Sequence, residues 1–91
     1  MDWKIEYDSR VLREMKTLDR NVQQQILDYF DEHIEPSQNP RKYGKDLKSH
    51  FPGLWQYSIG NYRAICQIDD ENLSVLVVRV GHQNKVYEKP L

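Results

Sequence analysis

Much of what usually announces an activity is missing from these 91 residues. A single cysteine, Cys66, excludes an intramolecular disulfide and fits a reducing compartment. No run of about 18 apolar residues is present to cross a bilayer, and Met1-Asp2-Trp3-Lys4 lacks the apolar stretch of a secretory signal. The expectation is a soluble, cytoplasmic protein that does not engage a membrane. There is no glycine-rich phosphate loop, no pair of metal-spaced cysteines and no HExxH motif, and His33, His50 and His82 are scattered along the chain. No metal or other cofactor is expected. The net charge of −1 lacks the basic excess usual in nucleic-acid-binding domains.

What is there suits one domain spanning residues 1–91, large enough for a single core. Its clearest stretch is Leu54 to Ile68, where two runs rich in aromatic and β-branched residues flank Gly60-Asn61. That dipeptide suits a two-residue turn requiring positive φ, so the stretch reads as a β-hairpin. Closing the turn with Ile59 opposite Tyr62 sets Ser58 against Arg63, Tyr57 against Ala64, Gln56 against Ile65 and Trp55 against Cys66. Alternation then gives one core face, Trp55, Tyr57, Ile59, Tyr62, Ala64 and Cys66, and an opposite face on which Gln56, Ser58 and Arg63 converge.

Upstream, Trp3-Lys4-Ile5-Glu6-Tyr7 alternates with period two, as a half-buried strand does. Asp8 or Ser9 can cap a short helix with its apolar stripe at Val11, Leu12, Met15 and Leu18. Asp19 caps a longer helix over residues 20–34, carrying Val22, Ile26, Tyr29, Phe30 and Ile34 and packing antiparallel to the first; Pro36 ends it. From Pro36 to Pro52 the composition turns to Ser, Asn, Pro, Gly and Lys, which reads as a loop with a turn of helix around Lys45 to Lys48. Beyond the hairpin, Leu73 to Val80 is apolar on both faces, as expected in the middle of a sheet; Gly81 breaks it, and the polar tail to Tyr87 leaves the sheet. The order β-α-α-β-β-β gives an α+β fold: a small, twisted, mostly antiparallel four-stranded sheet with an N-terminal helical hairpin on one face.

Arg63, on the face opposite the aromatics, suits an anion contact, with a structural ion pair as the plainer alternative. Tyr87 anchors the tail or aims its hydroxyl at the same face, and His82 is a candidate for acid–base chemistry.

Three stretches in order, Gly44-Lys45-Asp46-Leu47, then Gly53 to Cys66, then Val78-Arg79-Val80-Gly81-His82-Gln83-Asn84-Lys85-Val86-Tyr87, resemble the RelE toxins of bacterial toxin–antitoxin pairs. The resemblance runs from Trp3 to Tyr87. It implies a ribosome-dependent mRNA endonuclease and a cognate antitoxin that wraps and blocks it, so the implied partners are that antitoxin, the ribosome and mRNA. The implied cleavage is metal-free: the ribose 2′-hydroxyl attacks the adjacent phosphate, which needs a base, cations for the phosphorane and an acid for the leaving oxygen. Arg63 matches the family's arginine after its Gly-x-Tyr turn, and Tyr87 its C-terminal catalytic tyrosine. Lys45, Lys48 and Lys85, in flanking loops, are candidate RNA contacts. The family pattern expects basic residues at 56, 58 and 83, where this chain has Gln56, Ser58 and Gln83. Arginine at all three would make the net charge of −1 positive. The expectation is a toxin scaffold with a neutralised, weakened site. The alternatives are a non-catalytic binding module for an antitoxin or ribosome, and a gyrase-inhibiting ParE-type toxin of the same superfamily.

Overall fold

The period-two stretch at the N-terminus forms β1, Lys4–Tyr7, in the computed structural model, which describes residues 2–48 and 51–88. Asp8 then caps α1, Ser9–Met15: its backbone is extended and its carboxylate accepts the N–H of Arg10 at 2.9 Å. Asp19 precedes α2, Arg20–Tyr29, without a side-chain capping bond. The helix continues into a π-helical turn, Phe30–Ile34, closed by the N–H of Glu35 donating to the Phe30 carbonyl at 2.8 Å. Apolar residues at 26, 30 and 34 are four apart, a spacing that drifts off a 3.6-residue face. The wider turn keeps Ile34 in line with Phe30, and all three side chains are buried.

The segment from Pro36 to Pro52 is more ordered than its composition suggests. Pro40–Tyr43 is a 3₁₀ turn, and Lys45–Asp46 forms a short strand, β2, paired antiparallel with the hairpin. The helical turn expected at Lys45 to Lys48 gives way to that strand, and the N–H of Phe51 donates to the Leu47 carbonyl at 2.7 Å. Gly44 permits this pairing: a Cβ there would lie 2.5 Å from the Gln56 carbonyl oxygen and 2.6 Å from Trp55 Cδ1. His50 lies outside the described residues.

The hairpin is β3, Trp55–Ile59, and β4, Tyr62–Asp69, and its register is the one expected, from Ile59 opposite Tyr62 to Trp55 opposite Cys66. Gly60 supplies the positive φ, +58°, and Asn61 does not share it, the pattern of a type II′ turn. The last strand, β5, spans Ser74–His82, so Gly81 does not end it: β4 is long enough to pair Arg63 with Gly81 and Tyr62 with His82. Leu73, at φ +49°, belongs to the turn before it.

The sheet has five strands rather than four, in the order β1-β5-β4-β3-β2, with β1 parallel to β5 and every other pairing antiparallel. β5 is interior, between β1 and β4, which accounts for its two apolar faces. It also carries a β-bulge: Cys66 pairs with Val77 and Ile65 with Arg79, leaving Val78 as an extra residue. The helices cover one face and meet the sheet more than each other, α1 against β5 and α2 against β3. Beneath them Tyr57, Ala64, Cys66, Val75 and Val77 are fully buried.

Candidate functional site

Residues directly opposed in antiparallel pairs project to the same face. On the face away from the helices, the register therefore lines up Lys45, Gln56, Ile65 and Arg79 in one row and Ser58, Arg63 and Gly81 in the next. The face is not purely polar. Ile65 is fully buried in a second apolar cluster with Leu47 and Val86, flanked by Phe51, Leu54, Val78 and Tyr87. The tail, expected to leave the sheet, folds back across it, with the N–H groups of Lys85 and Val86 donating to the His82 carbonyl at 2.8 and 3.0 Å.

Arg63 is half-buried between this cluster and the hairpin turn. Its Nη1 donates to the carbonyls of Gly60 at 2.9 Å and Tyr62 at 2.8 Å, and its Nη2 donates to Gln83 Oε1 at 3.0 Å. All of these acceptors are neutral, and the ion pairs among the described residues do not include Arg63. Gln83 is fixed in turn by its own N–H, which donates to the Asn61 carbonyl at 2.9 Å. Arginine at 83 would bring a second cation to this spot, so glutamine turns a like-charge contact into a hydrogen bond.

Tyr87 lies in the same neighbourhood, stacked on Phe51 with ring centroids 6.1 Å apart and planes 24° apart. Burial pushes its phenol above the usual tyrosine range, and the nearby Arg63 charge pulls less strongly the other way. At neutral pH it is a protonated donor and not a base. Gln56 is half-buried beside Lys45, while Ser58 and Lys48 are exposed.

His82 does not join this group. It pairs with Tyr62, whose ring packs against the helix-side core, and the two rings meet edge to face at 5.6 Å. Its Nδ1 accepts the N–H of Asn84 at 3.2 Å. His82 and Lys85 instead line a groove of about 1080 Å³ between α1 and the tail, together with Arg10, Arg13 and Glu14.

Two arginines gain roles that sequence reasoning missed. Arg41, within the basic 36–52 stretch, is held by Asp70 through two bonds of 2.9 Å and lies 5.9 Å from the centroid of the Trp55 ring. Arg79 is 3% exposed and donates from Nη1 to the Val86 carbonyl at 3.0 Å. A lone cation inside Val-Val-Arg-Val was the available signal for a buried, bonded charge. Tyr57 donates its hydroxyl to the Pro40 carbonyl at 2.8 Å, and Cys66 is fully buried with its thiol pushed up by that burial, so neither is a reactive group.

The family described as the ParE toxin of type II toxin–antitoxin system, parDE, matches residues 5–87. Toxin RelG of Mycobacterium tuberculosis is 24% identical over 89 residues, covering 98% of this chain and 100% of that toxin. The crystal structure of the toxin–antitoxin complex RelBE2 from Mycobacterium tuberculosis superposes with a TM-score of 0.82 at 22% identity, over 90% of this chain and 99% of that one. A mutant of the E. coli toxin RelE in the free state gives a TM-score of 0.72 at 26% identity, over 97% of this chain and 93% of that one.

Proposed function

We propose, on the premise that this chain belongs to the ParE toxin family of type II toxin–antitoxin systems, that its Arg63 face cleaves messenger RNA on the ribosome, with a weakened set of side chains. The observation that carries the reading is Arg63 itself: a half-buried guanidinium whose acceptors are all neutral keeps its charge for an incoming anion. In the chemistry that the RelE resemblance implies, that anion is a phosphodiester. The O2′–P bond forms as the P–O5′ bond breaks; Arg63 offsets the charge on the phosphorane, and the protonated Tyr87 phenol gives its proton to the leaving 5′-oxygen.

The 2′-hydroxyl proton passes to solvent water, because Gln56, Ser58 and Gln83 supply neither a base nor a second cation. His82 faces the groove on the other side. Each missing acid–base contribution is typically worth a factor of about 10² or more, so turnover by this chain is slow. Lys45 and Lys48 flank the site and meet RNA phosphates, whereas Lys85 lies with the groove. A cognate antitoxin is the protein partner, by analogy with the toxin–antitoxin complexes that share the fold, and the cytoplasm is where toxin, antitoxin and ribosome meet.

A second reading has one observation in its favour. The Gln83–Arg63 bond holds the guanidinium as a static anion clamp, which suits a module that binds an antitoxin or the ribosome without cleaving. The test is mRNA cleavage in a reconstituted translation reaction by this chain and by a form carrying Gln56→Arg, Ser58→Arg and Gln83→Arg. Strong cleavage by the restored form, abolished by adding Tyr87→Phe, is the expected result. No cleavage by either folded protein selects the binding module, and gyrase inhibition by the restored form in a supercoiling assay selects the ParE-type activity.

A further inference from the structure

The strand β1 ends at Tyr7, and the N–H of Asp8 makes the last bond of that edge, to the Val77 carbonyl at 2.9 Å. Beyond that point the outer edge of β5 has no neighbouring strand among the described residues, and α1 takes its place. Glu14 of α1 reaches the edge: its Oε1 accepts the N–H of Val80 at 3.0 Å, and its Oε2 lies 3.7 Å from Nε of Arg79. Arg79 in turn donates to the carbonyl of Val86, the residue before Tyr87. A connected series of polar contacts therefore runs from α1 through a buried guanidinium to the residue that precedes the Tyr87 phenol. Burying a cation beside an apolar cluster is costly, and an apolar side chain would fill the same volume more cheaply. What the guanidinium adds is direction: Val86 packing fixes how deep the tail lies, and the bond to its carbonyl fixes the rotation of the peptide that carries Tyr87.

We infer that Arg79, held by Glu14, is a positioning residue that sets the orientation of Tyr87 over the Arg63 face. The inference rests on the proposed function only in taking Tyr87 to meet the substrate; the clamp itself is measurable without turnover. The experiment uses the full chain and the variants Arg79→Gln, Arg79→Lys and Glu14→Gln. Amide hydrogen exchange is read at Val86 and Glu88, whose N–H groups donate to the His82 and Lys85 carbonyls, against Ala64 in β4 as a core reference. Tyr87 labelled at Cζ reports its own phenol titration by NMR.

In Arg79→Gln, exchange at Val86 and Glu88 rises by roughly tenfold or more while Ala64 is unchanged, and the Tyr87 titration moves back toward the usual tyrosine range as burial is relieved. Arg79→Lys, which keeps a charged donor, recovers part of both effects. Glu14→Gln keeps an acceptor for the Val80 N–H but removes the charge facing Arg79; it shows the same pattern at smaller amplitude and serves if Arg79→Gln does not fold. Unchanged tail exchange and Tyr87 titration in the folded variants would overturn the inference, as would equal acceleration at Ala64, which marks a purely structural role. In the arginine-restored protein, Arg79→Gln lowers kcat with KM little changed. If that restored protein does not cleave at all while the tail still loosens, the nuclease reading fails and the clamp stands.

Discussion

On the helix side of the sheet, Tyr57, Ala64, Cys66, Val75 and Val77 are buried beneath Met15, Ile26 and Phe30, whereas on the other side the buried apolar cluster among the described residues is Leu47, Ile65 and Val86. The helix side is also rich in aromatic contacts: Phe30 meets Tyr7, Tyr29 and Tyr57 edge to face, with centroids 6.1, 5.7 and 5.6 Å apart. The other side carries the stacked pair of Phe51 and Tyr87, beside a cation with neutral acceptors. One set of strands thus serves two purposes. The thick apolar side carries the stability, which frees the thin side to hold groups that a core would not tolerate.

Substitutions matched across the sheet test that division. Phe30→Ala removes the ring at the centre of the aromatic cluster and is expected to cost about 3–5 kcal/mol, read as a lower urea midpoint for the whole protein. Val86→Ala, at the equivalent depth on the thin side, is expected to cost only about 1–2 kcal/mol, with the loss concentrated in tail amide exchange. Equal global losses from the two would mean that the faces are one core after all. The smallest effect is expected from Gln83→Arg alone. It removes an acceptor from Arg63 and adds a like charge, costing about 0.5–1 kcal/mol at low salt and less at high salt, as thermal unfolding at two ionic strengths would show.

The hairpin was legible because its turn is two residues long, and a turn of that length leaves one register. The pairing of Ser58 with Arg63, and with it the composition of the site face, followed directly. Less legible was whatever depended on residues distant in sequence. Gly44 reads as one more loop glycine until the indole of Trp55 lies against it, so β2 was hidden within a polar stretch. Val86 is one apolar residue in a polar tail and becomes a core residue only once Ile65 and Leu47 are beneath it. His82 reads in sequence as a candidate for acid–base chemistry, but strand alternation sends it to the Tyr62 side, away from Arg63. Arg63 and Gln83 are twenty residues apart and meet only because Gly81 continues β5 instead of ending it.

The bulge at Val78 makes strand pairing, and not only residue kind, a determinant of the site. With the extra residue in place, Val77 and Val80 both face the helices, while Val78 and Arg79 both fall on the far side. A regular strand that kept Val78 without the bulge would set Val78 opposite Ile65 and Arg79 opposite Ala64, and so would deliver a guanidinium into the driest part of the protein. The same unbulged strand would set Val80 opposite Arg63 and Gly81 opposite Tyr62, which would pull the tail and Tyr87 out of line with Arg63. Loss of the Val78 codon would leave Cys66 opposite Val77 and Ile65 opposite Arg79 as an unbroken ladder, so the two faces would survive it and only the aliphatic group that Val78 adds beside Leu47 and Val86 would go.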